Sequence, residues 1–259
     1  MTTVIAIDIS NFAYKQYHAG GNVATAIVQK ARGAMTHFRD SVAYLCYDSK
    51  PTFRHKLFPE YKGKRKPSED KVKIEMAIEE SKPIAVAAGV HVVEHEGYEA
   101  DDVMASIARQ CRLRNENVML VSADKDMYPL LMYDGIQLFR FIGSQGWDSM
   151  LGMKIRFIDE VLESAIYKKY KVECWQWLDY RCMTGDASDN IAGLAGYGPV
   201  KSRLILDTFE SLDQMFGDWE TNKLGFSDQE RIKFEIFRNE LPRLRELFRM
   251  VDTLDVLRH

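Results

Sequence analysis

Short apolar runs that alternate with helix-patterned stretches constrain the fold of this chain more than any other sequence feature. The strand-like runs fall at about 3–9, 42–47, 90–94, 118–122 and 136–142. Between them, stretches such as 23–40, 69–88 and 100–114 carry apolar residues at helical spacing. Strands that alternate with helices in this way lie parallel and are covered by those helices. The sequence therefore predicts an α/β fold, with a mostly parallel central sheet and helices on both faces.

Acidic residues follow several of these runs and occur again in a glycine-rich stretch. The nine residues are Asp8, Asp48, Glu99, Asp101, Asp102, Asp124, Asp126, Asp186 and Asp189. Parallel strands bring their carboxyl ends to one edge of the sheet, where α/β proteins place their ligands. Any one of these residues could serve only as a helix cap or a solvated loop acid, because acidic residues are common at helix starts. The placement of the whole set favours a shared site.

Carboxylates gathered in this way predict a site for divalent cations. Two of them repel by roughly 3 kcal/mol at about 5 Å and an effective dielectric of about 20, and hard cations bound through oxygen remove that cost. We expect one ion near Asp48, Glu99 and Asp101. A second is expected near Asp124 and Asp126, which strand alternation would point to the same side, and near the 186/189 pair. Two ions about 4 Å apart can activate water and stabilise the leaving oxygen of a phosphodiester.

The balance of charge and composition fits a globular protein that binds nucleic acid. The net charge is −3, but setting aside the nine acidic residues leaves 29 of 38 acidic side chains against 35 basic ones. No run approaches the roughly 18 apolar residues that span a bilayer, and the N-terminus lacks a signal-peptide pattern. The four cysteines are scattered, so neither a zinc site nor a disulfide framework is expected. We expect a cytoplasmic protein with no membrane partner.

A basic segment lies close to Asp48 in the sequence and predicts contacts to nucleic acid. Its six basic residues are Arg54, Lys56, Lys62, Lys64, Arg65 and Lys66, with Tyr61 among them. Basic side chains bind phosphates, and an aromatic ring can stack on a base. Ser68 is placed to cap the helix that follows. The same segment could also be an exposed crossover with incidental lysines.

The second half of the chain is predicted to be almost wholly helical. Residues 143–153 read as a loop or hairpin, helical patterns begin near 154, and turns are expected near 185–199 and 217–227. The aromatic residues Trp175, Trp177, Phe209 and Phe216 are expected in the core. Glycines between Gly185 and Gly198 permit a tight turn, and amides at the start of the next helix can receive a phosphate. Such a hairpin binds duplex backbone without reading sequence, and its carbonyls could hold a K⁺ ion.

Together these motifs resemble the 5′-nuclease family, which includes phage flap endonucleases, 5′–3′ exonucleases and the 5′-nuclease domain of bacterial DNA polymerase I. The resemblance covers about residues 3–210. It rests on Phe53-Arg54, Pro59-Glu-Tyr-Lys-Gly-Lys-Arg65, Gly97-Tyr-Glu-Ala-Asp-Asp102, Ala123-Asp-Lys-Asp126 and Gly185-Asp-Ala-Ser-Asp-Asn190, which occur in family order. It implies a single 5′-nuclease domain over 1–259, with an α/β metal-binding core at 1–153 and a helical part at 154–259. A helical arch or clamp is expected at about 61–90 and a helix–hairpin–helix at about 185–207.

The resemblance implies a metal-dependent, structure-specific 5′ nuclease that hydrolyses DNA phosphodiesters at 5′ ends and flaps by a two-metal mechanism, in replication or repair. Its expected cofactors are two Mg²⁺ or Mn²⁺ ions. Its expected partner is DNA with a 5′ flap, a 5′ end or a branched structure, with an RNA primer as a further candidate. The family expectation is a monomer, and both exonuclease and flap-endonuclease action are consistent with the motifs.

Residue roles are carried over by the same match. Catalytic roles fall on Lys62, which would contact the scissile phosphate, on Arg54, and on the ion-binding Asp48, Glu99 and Asp101. All nine acidic residues are implied metal ligands. The implied DNA contacts are Arg54, Tyr61, Lys62, Lys64, Arg65, Gly196, Gly198 and Lys201, with Tyr61 stacking on or positioning a nucleotide.

Two positions depart from the family pattern. Ile9 stands where the family usually has glycine after its first aspartate, although Asp8 itself is present. The hairpin lysine of the family pattern Gly-x-Gly-x-Lys is delayed here to Lys201, behind Pro199 and Val200. We therefore expect the duplex affinity, or its dependence on cations, to differ from that of the family.

Two alternative functions are consistent with some of the same sequence features. A single-strand ribonuclease of the PIN type has a similar acidic cluster on a similar sheet, but such domains are generally shorter and lack the hairpin at 185–198. A DNA-structure-binding protein that has lost catalysis would usually lack some of the acidic residues, and all nine are present. Cleavage of a DNA flap in Mg²⁺ separates these alternatives from a 5′ nuclease.

Overall fold

A six-stranded sheet organises the α/β part of the computed structural model, which describes residues 2–38, 40–66, 68–141, 158–221 and 224–257. Its strands are β1 (Thr3–Asp8), β2 (Ser41–Tyr47), β3 (His91–Glu94), β4 (Asn117–Val121), β5 (Ile136–Phe141) and β6 (Ile158–Glu160). Their order is β3-β2-β1-β4-β5-β6. The first five strands run parallel, and β6 pairs antiparallel with β5. The predicted mostly parallel sheet is confirmed, and β6 is a strand that the sequence did not predict.

The chain divides into two compact units whose boundaries cross the sequence. The α/β unit comprises Met1–Thr52, Pro67–Leu162 and Met250–His259, and the helical unit comprises Phe53–Lys66 and Glu163–Arg249. The boundary predicted at 153/154 therefore differs from this division at three places, because 53–66 belong to the helical unit, whereas 154–162 and the last residues belong to the α/β unit. The loop or hairpin predicted at 143–153 lies outside the described residues.

Within the α/β unit, α-helices cover both faces of the sheet, as predicted. The α-helices are α1 (Ile9–Ala19), α2 (Val23–His37), α3 (Phe53–Leu57), α4 (Glu69–Ala87), α5 (Ala100–Leu113), α6 (Glu163–Tyr170), α7 (Trp177–Thr184), α8 (Pro199–Phe209), α9 (Leu212–Gly217) and α10 (Asp228–Phe248). Alternate strand residues enter two separate cores. Ile5 and Leu45 pack in a core with residues of α1, α2 and α4. Ala6 and Cys46 pack in the other core, with residues of α5.

Side-chain caps explain where several helices of the α/β unit begin. Asn22 accepts a hydrogen bond from the backbone N–H of Thr25 at the start of α2. Ser68 accepts one from Lys71 at the start of α4, which confirms the predicted cap. The buried side of α4, including Ile74, lies in the core shared with α1 and α2. The predicted arch or clamp at about 61–90 thus contains a helix of the sheet layer, and its role as an arch stays a prediction.

The helical unit is built around aromatic side chains. Phe234 is fully buried and makes ring contacts with Phe216 and Trp219. Trp177 is also buried, but Trp175 is 48% exposed, so its predicted place in the core is wrong. Trp175 belongs to a short 3-10 helix, Cys174–Gln176, in which its neighbours on either side are the buried residues. Across the described part of the chain, no helix is both long and apolar enough to cross a membrane.

Candidate active site

The carboxyl ends of three neighbouring parallel strands place three aspartates at one edge of the sheet. Asp8 is the last residue of β1, Asp48 follows β2, and Asp124 comes shortly after β4. Because β1 lies between β2 and β4, these three chain positions are adjacent. The start of α5 adds Glu99 and Asp101, and the charge of Asp101 interacts with those of the other four residues. We call these five residues the sheet-edge cluster.

Asp8 is buried, and both of its carboxylate oxygens accept hydrogen bonds. Oδ1 accepts from the backbone N–H of Asn11 at 3.0 Å and so caps α1. Oδ2 accepts from the hydroxyl of Ser122 at 2.8 Å. Burial, and then the negative charge of Asp48, raise the pKa of Asp8 from 3.8 to about 7 in spite of these hydrogen bonds. Asp8 is therefore held where its ionised form is disfavoured.

Asp48 joins the starts of two helices that cover opposite faces of the sheet. One carboxylate oxygen accepts from the hydroxyl of Ser10, in the first turn of α1, at 2.6 Å. The other accepts from the backbone N–H of Ala100, the first residue of α5, at 2.9 Å. Asp48 thereby links the start of the helix that Asp8 caps with the start of the helix that carries Glu99 and Asp101.

Asp101 has a buried carboxylate oxygen without a hydrogen-bond partner among the described residues. Burial, followed by the charges of Asp124 and Asp8, raises the pKa of Asp101 well above its usual value of 3.8. A buried charge without compensation is costly, whereas a hard divalent cation binds such an oxygen directly. The oxygen donors of the sheet-edge cluster therefore fit a hard divalent cation.

The cluster is not closed around an ion in this arrangement. Within the described ranges, no three His, Cys, Asp or Glu side chains are grouped so that they could hold one metal ion. Oxygens of Asp8 and Asp48 instead accept the hydrogen bonds described above.

Asp102 has a different environment from its neighbour Asp101. It is fully buried, and each carboxylate oxygen accepts a backbone hydrogen bond. Oδ2 accepts from Glu99 at 3.1 Å and Oδ1 from Val251 at 2.8 Å. The structure thus gives Asp102 a role in holding the start of α5, and its role as a metal ligand stays a prediction.

The stretch after β4 is wrongly predicted as a strand end that points Asp124 and Asp126 to the same side. Strand β4 ends at Val121, and a 3-10 helix, Lys125–Met132, follows. Asp124 caps this helix, since its Oδ1 accepts the backbone N–H of Asp126 at 2.8 Å. Strand alternation therefore does not set the direction of either side chain.

Sequence reasoning missed three polar residues around the sheet-edge cluster. Ser10 and Ser122 donate their hydroxyl groups to Asp48 and Asp8. Lys15 of α1 is exposed, and its charge interacts with that of Asp8. Partial desolvation lowers the pKa of Lys15, and the charge of Asp8 acts in the opposite direction. Lys15 lies seven residues after Asp8, two turns along the helix that Asp8 caps. That helical spacing was a signal from which Lys15 could have been predicted.

The hairpin between α7 and α8 holds Asp186 next to a basic residue of the helical unit. Arg181 of α7 forms an ion pair with Asp186. The backbone N–H and the hydroxyl of Ser188 donate to the same carboxylate at 2.7 and 2.6 Å. Although partial burial acts to raise it, the hydrogen bonds from Ser188 and Arg181 lower the pKa of Asp186 to about 2. Asp186 is thus ionised and paired within the protein.

Asp189 is paired with the basic segment of the same unit. Arg65 forms an ion pair with its carboxylate, and the Tyr61 hydroxyl donates to it at 3.3 Å. The backbone N–H of Lys62 donates to the Asp189 carbonyl at 2.9 Å, and Asn190 donates its side-chain amide to the carbonyl of Glu60. The segment predicted to bind DNA is therefore docked on the acidic turn of the hairpin. The metal-ligand roles of Asp186 and Asp189 stay predictions.

The predicted DNA-contacting residues of this segment differ in exposure. Lys64 and Arg65 are exposed, and Lys62 is half-buried with its Nζ 4.9 Å from the centre of the Tyr61 ring. Tyr61 itself is buried. Lys62 has a φ of 56°, in the left-handed region that a lysine rarely adopts. Strained backbone of this kind often occurs at functional sites.

Arg54 is engaged with the end of α10 in this structure. Its Nε donates to the carbonyl of Leu247 and its Nη2 to that of Arg249, each at 2.9 Å. These carbonyls belong to the last turn of the helix and to its C-cap, where no intrahelical donor reaches them. Since Arg54 is only 3% exposed, a phosphate contact would require the guanidinium to become accessible. Its catalytic and DNA-binding roles stay predictions.

Close backbone approach in the hairpin requires two glycines. A Cβ on Gly185, whose φ is +69°, would overlap the backbone nitrogen of Gly193, and a Cβ on Gly193 would overlap the carbonyl of Met183. Gly198, one of the predicted DNA contacts, is the N-cap of α8. Gly196 also lies in this turn, and Lys201 stands in the first turn of α8, 3.9 Å from Glu230. The hairpin is thus confirmed as a glycine-dependent turn between two helices.

Known proteins resemble this chain along most of its length. The family model described as 5′-3′ exonuclease, N-terminal resolvase-like domain, matches residues 3–171. The thermostable DNA polymerase I of Thermus aquaticus is 28% identical over 225 residues, which cover 82% of this chain and 24% of the polymerase. A 5′-3′ exonuclease of Aquifex aeolicus is 24% identical over 247 residues, which cover 91% of this chain and 80% of that protein. The chain spans about a quarter of the length of the polymerases that it matches.

The fold is shared with a solved nuclease. The 5′-exonuclease of bacteriophage T5, in a structure with bound zinc ions, aligns with a TM-score of 0.71 and 20% sequence identity, covering 97% of this chain and 89% of the T5 chain. That likeness shows the α/β fold with its helical part. Because the family model matches well over half of the sequence, this chain belongs to the 5′–3′ exonuclease family.

Proposed function

We propose that this chain is a divalent-metal-dependent, structure-specific 5′ nuclease that hydrolyses DNA at 5′ ends and 5′ flaps. The observation that carries the proposal is the sheet-edge cluster, where buried carboxylates repel one another and one oxygen of Asp101 has no partner among the described residues. Family membership supports the reaction class. Solved proteins of the same fold support the ligands, because T5 structures contain divalent ions and DNA. The expected products carry 5′-phosphate and 3′-hydroxyl ends.

Residues of the sheet-edge cluster would hold the ions. Asp48, Glu99 and Asp101 would bind one Mg²⁺ or Mn²⁺ ion, with Asp8 and Asp124 beside them. Two such ions supply water activation and stabilisation of the leaving oxygen when bound. The chain itself holds the carboxylates in a largely buried place and orients them through Ser10, Ser122 and the amide of Ala100. Asp102, Asp126, Asp186 and Asp189 are included in the proposal as further ligands.

Basic residues of the segment at 54–66 would bind the DNA backbone. Lys62, Lys64 and Arg65 would contact phosphates, Lys62 the scissile one, and such contacts position DNA without reading its sequence. The exposure of Lys64 and Arg65 supports this role. Tyr61 and Arg54 would join them only after release from their present partners, Asp189 and the end of α10.

The hairpin would bind the duplex next to the cleaved end. Backbone amides at the start of α8 point outward from a helix N-terminus, which attracts a phosphate. Gly196, Gly198 and Lys201 are the residues proposed for this contact, with a K⁺ ion on the hairpin carbonyls. We further propose a monomeric cytoplasmic protein that acts in DNA replication or repair. Light scattering of the purified protein measures its molar mass and so tests the proposed monomeric state.

A 5′-labelled DNA duplex with a single 5′ flap tests the proposed function. The wild type should cleave near the junction in Mg²⁺ or Mn²⁺ and should bind the flap without cleaving it in EDTA. The double variant Asp124→Asn/Asp126→Asn should bind the flap and cleave it at least about 100-fold more slowly, since it loses two proposed ligands. Asp134→Asn is the matched control, because Asp134 is an exposed aspartate outside the sheet-edge cluster.

The outcomes separate the alternatives. If the protein binds the flap tightly but leaves it intact with both Mg²⁺ and Mn²⁺, it is a DNA-structure-binding protein. Cleavage of single-stranded RNA but not of the flap would favour a ribonuclease of the PIN type. Comparison of a blocked with a free 5′ end on the same flap measures the balance between endonuclease and exonuclease action. A flap whose 5′ part is RNA tests whether an RNA primer is also a substrate.

A further inference from the structure

The C-terminal segment, residues 250–257, is hydrogen-bonded along one side of α5 by side chains spaced one helical turn apart. Asp102 accepts from the backbone N–H of Val251 (2.8 Å). The Ser106 hydroxyl donates to the carbonyls of Asp102 (2.8 Å) and Val251 (3.1 Å) and accepts from the N–H of Leu254 (3.2 Å). Gln110 donates to the carbonyl of Leu254 and accepts from the N–H of Leu257 (3.0 Å), whose carbonyl accepts from Arg114 (3.0 Å). We call this series the side-chain ladder.

The side-chain ladder fixes the segment in one register. The segment has no helix or strand of its own, so its backbone groups need partners elsewhere. At Val251, Leu254 and Leu257, both the N–H and the carbonyl have a partner on α5 or at its end. Leu254 and Leu257 are also buried in the core that contains α5. A shift by one residue would unpair the backbone groups and expose both leucines.

Asp102 connects the side-chain ladder to the sheet-edge cluster. Its Oδ1 binds the C-terminal segment, and its Oδ2 accepts the N–H of Glu99 at 3.1 Å. Asp102 therefore holds the backbone between two cluster residues, Glu99 and Asp101. Through these two hydrogen bonds, docking of the C-terminal segment acts on the backbone that carries both cluster residues.

We infer that the docked C-terminal segment positions the start of α5, and with it Glu99 and Asp101, for binding of a divalent ion. Ser106 and Gln110 are then positioning residues, which act through the helix and do not touch the ion or the DNA. This inference rests on the proposed function. Gln110 follows Asp101 by nine residues, or about 13 Å along a helix at about 1.5 Å per residue, so it influences the ion only through α5.

Gln110→Met tests the inference, because methionine keeps the volume and helix preference of glutamine but cannot form its two hydrogen bonds. Ser106→Ala is the second variant and removes the middle of the side-chain ladder. The control is Val28→Ala, which removes buried apolar atoms from the opposite core. Temperatures for the measurements are chosen so that all variants are equally folded.

Two readouts are compared in the whole chain. The first is the dissociation constant for Mn²⁺, measured by calorimetry without DNA. The second is the Mn²⁺ concentration that gives half-maximal flap cleavage. Both should rise about 10-fold in Gln110→Met and Ser106→Ala, as when a residue that supports a metal ligand is lost. Neither should change in Val28→Ala, and excess Mn²⁺ should restore most of the cleavage rate in the ladder variants.

The inference is overturned if the ladder variants match Val28→Ala in both readouts, since the segment would then serve stability alone. In that case wild-type binding and cleavage would still support the proposed function. If the wild type neither binds Mn²⁺ nor cleaves the flap, the proposed function fails and the inference fails with it.

Discussion

The acidic residues of the sheet-edge cluster and those of the hairpin have opposite electrostatic surroundings. In the cluster, burial and neighbouring carboxylates raise the pKa of Asp8 to about 7 and that of Asp101 well above 3.8. In the hairpin, Ser188 and Arg181 lower the pKa of Asp186 to about 2, and Arg65 pairs with Asp189. The residue types are the same, so the difference comes from burial among carboxylates in the cluster and from hydrogen-bond donors and arginines in the hairpin.

The acidic residues of the cluster are suited to a cation from solution, whereas those of the hairpin already pair with a basic side chain of the protein. Lys15 interacts with Asp8, but its charge does not offset the effect of burial there. Replacing a carboxylate by a neutral amide should therefore relieve repulsion in the cluster and break an ion pair in the hairpin. The two regions should respond to the same substitution with opposite changes in stability.

The largest effect is expected from Asp101→Asn. Cleavage of the flap should fall at least about 100-fold, because a proposed metal ligand is lost. In EDTA the same variant should unfold at a higher temperature than the wild type, since a buried charge among like charges is removed. Asp186→Asn should unfold at a lower temperature, since it loses its pairing with Arg181. A fall in unfolding temperature for Asp101→Asn would contradict the comparison.

The pH dependence of stability should be the next largest effect. The folded-state pKa of Asp8 is raised from 3.8 to about 7, so the folded state binds more protons than the unfolded state between these values. The metal-free protein should therefore lose stability as pH rises from about 4 through about 7, by an amount of the order of a few kcal/mol for a shift of this size. Urea unfolding in EDTA measures the free energy of unfolding at each pH. Asp8→Asn should flatten its dependence on pH. A wild-type stability that rises with pH over this range would refute the role of Asp8.

A smaller loss of stability is expected from Arg181→Met. The variant removes the partner of Asp186 and the stacking of the guanidinium on Phe248, and should cost about 2 kcal/mol in urea unfolding at pH 7. The stabilisation linked to Asp186 is present above pH 4 and lost as pH falls toward 2, because its folded-state pKa is depressed. In Arg181→Met that acid-dependent loss should shrink. If the loss of stability at acid pH is the same in Arg181→Met as in the wild type, Ser188 alone sets the environment of Asp186.

The smallest stability effect should come from Arg65→Ala. Its ion pair with Asp189 is exposed on the arginine side, and such pairs contribute less than about 1 kcal/mol. If Arg65 also binds a phosphate, the slope of log affinity for flap DNA against log salt should become shallower by about 1. Lys168→Ala, an exposed basic residue of α6, is the control for loss of charge. Equal salt slopes for both variants would remove Arg65 from the proposed DNA contacts.

The sheet and the positions of its acids could be predicted because both depend on local patterns. The predicted strand at 42–47 and the observed Ser41–Tyr47 differ by one residue, as expected for a buried parallel strand that reads as a continuous apolar run. Asp8 and Asp48 follow such runs directly. Asp124 illustrates the limit, because one side-chain cap changes the conformation after β4.

Long-range partners account for what the sequence analysis missed. Arg54 reads as a phosphate-binding residue in a basic segment, yet its partners are carbonyls more than 190 residues away in the chain. The side-chain ladder is also invisible in the sequence, since an extended segment at 250–257 carries no periodic signal. Polar residues spaced four apart on α5 were the available sign, but that spacing is equally common on solvated helix faces.

The position of Asp48 has a consequence for local opening of the protein. Its carboxylate holds the hydroxyl of Ser10 on one side and the amide of Ala100 on the other. A fluctuation that moves Asp48 away therefore removes a partner from the first turns of α1 and α5 together. We expect amide hydrogen exchange at these two helix starts to occur as one cooperative event, although the helices belong to separate cores on opposite faces of the sheet.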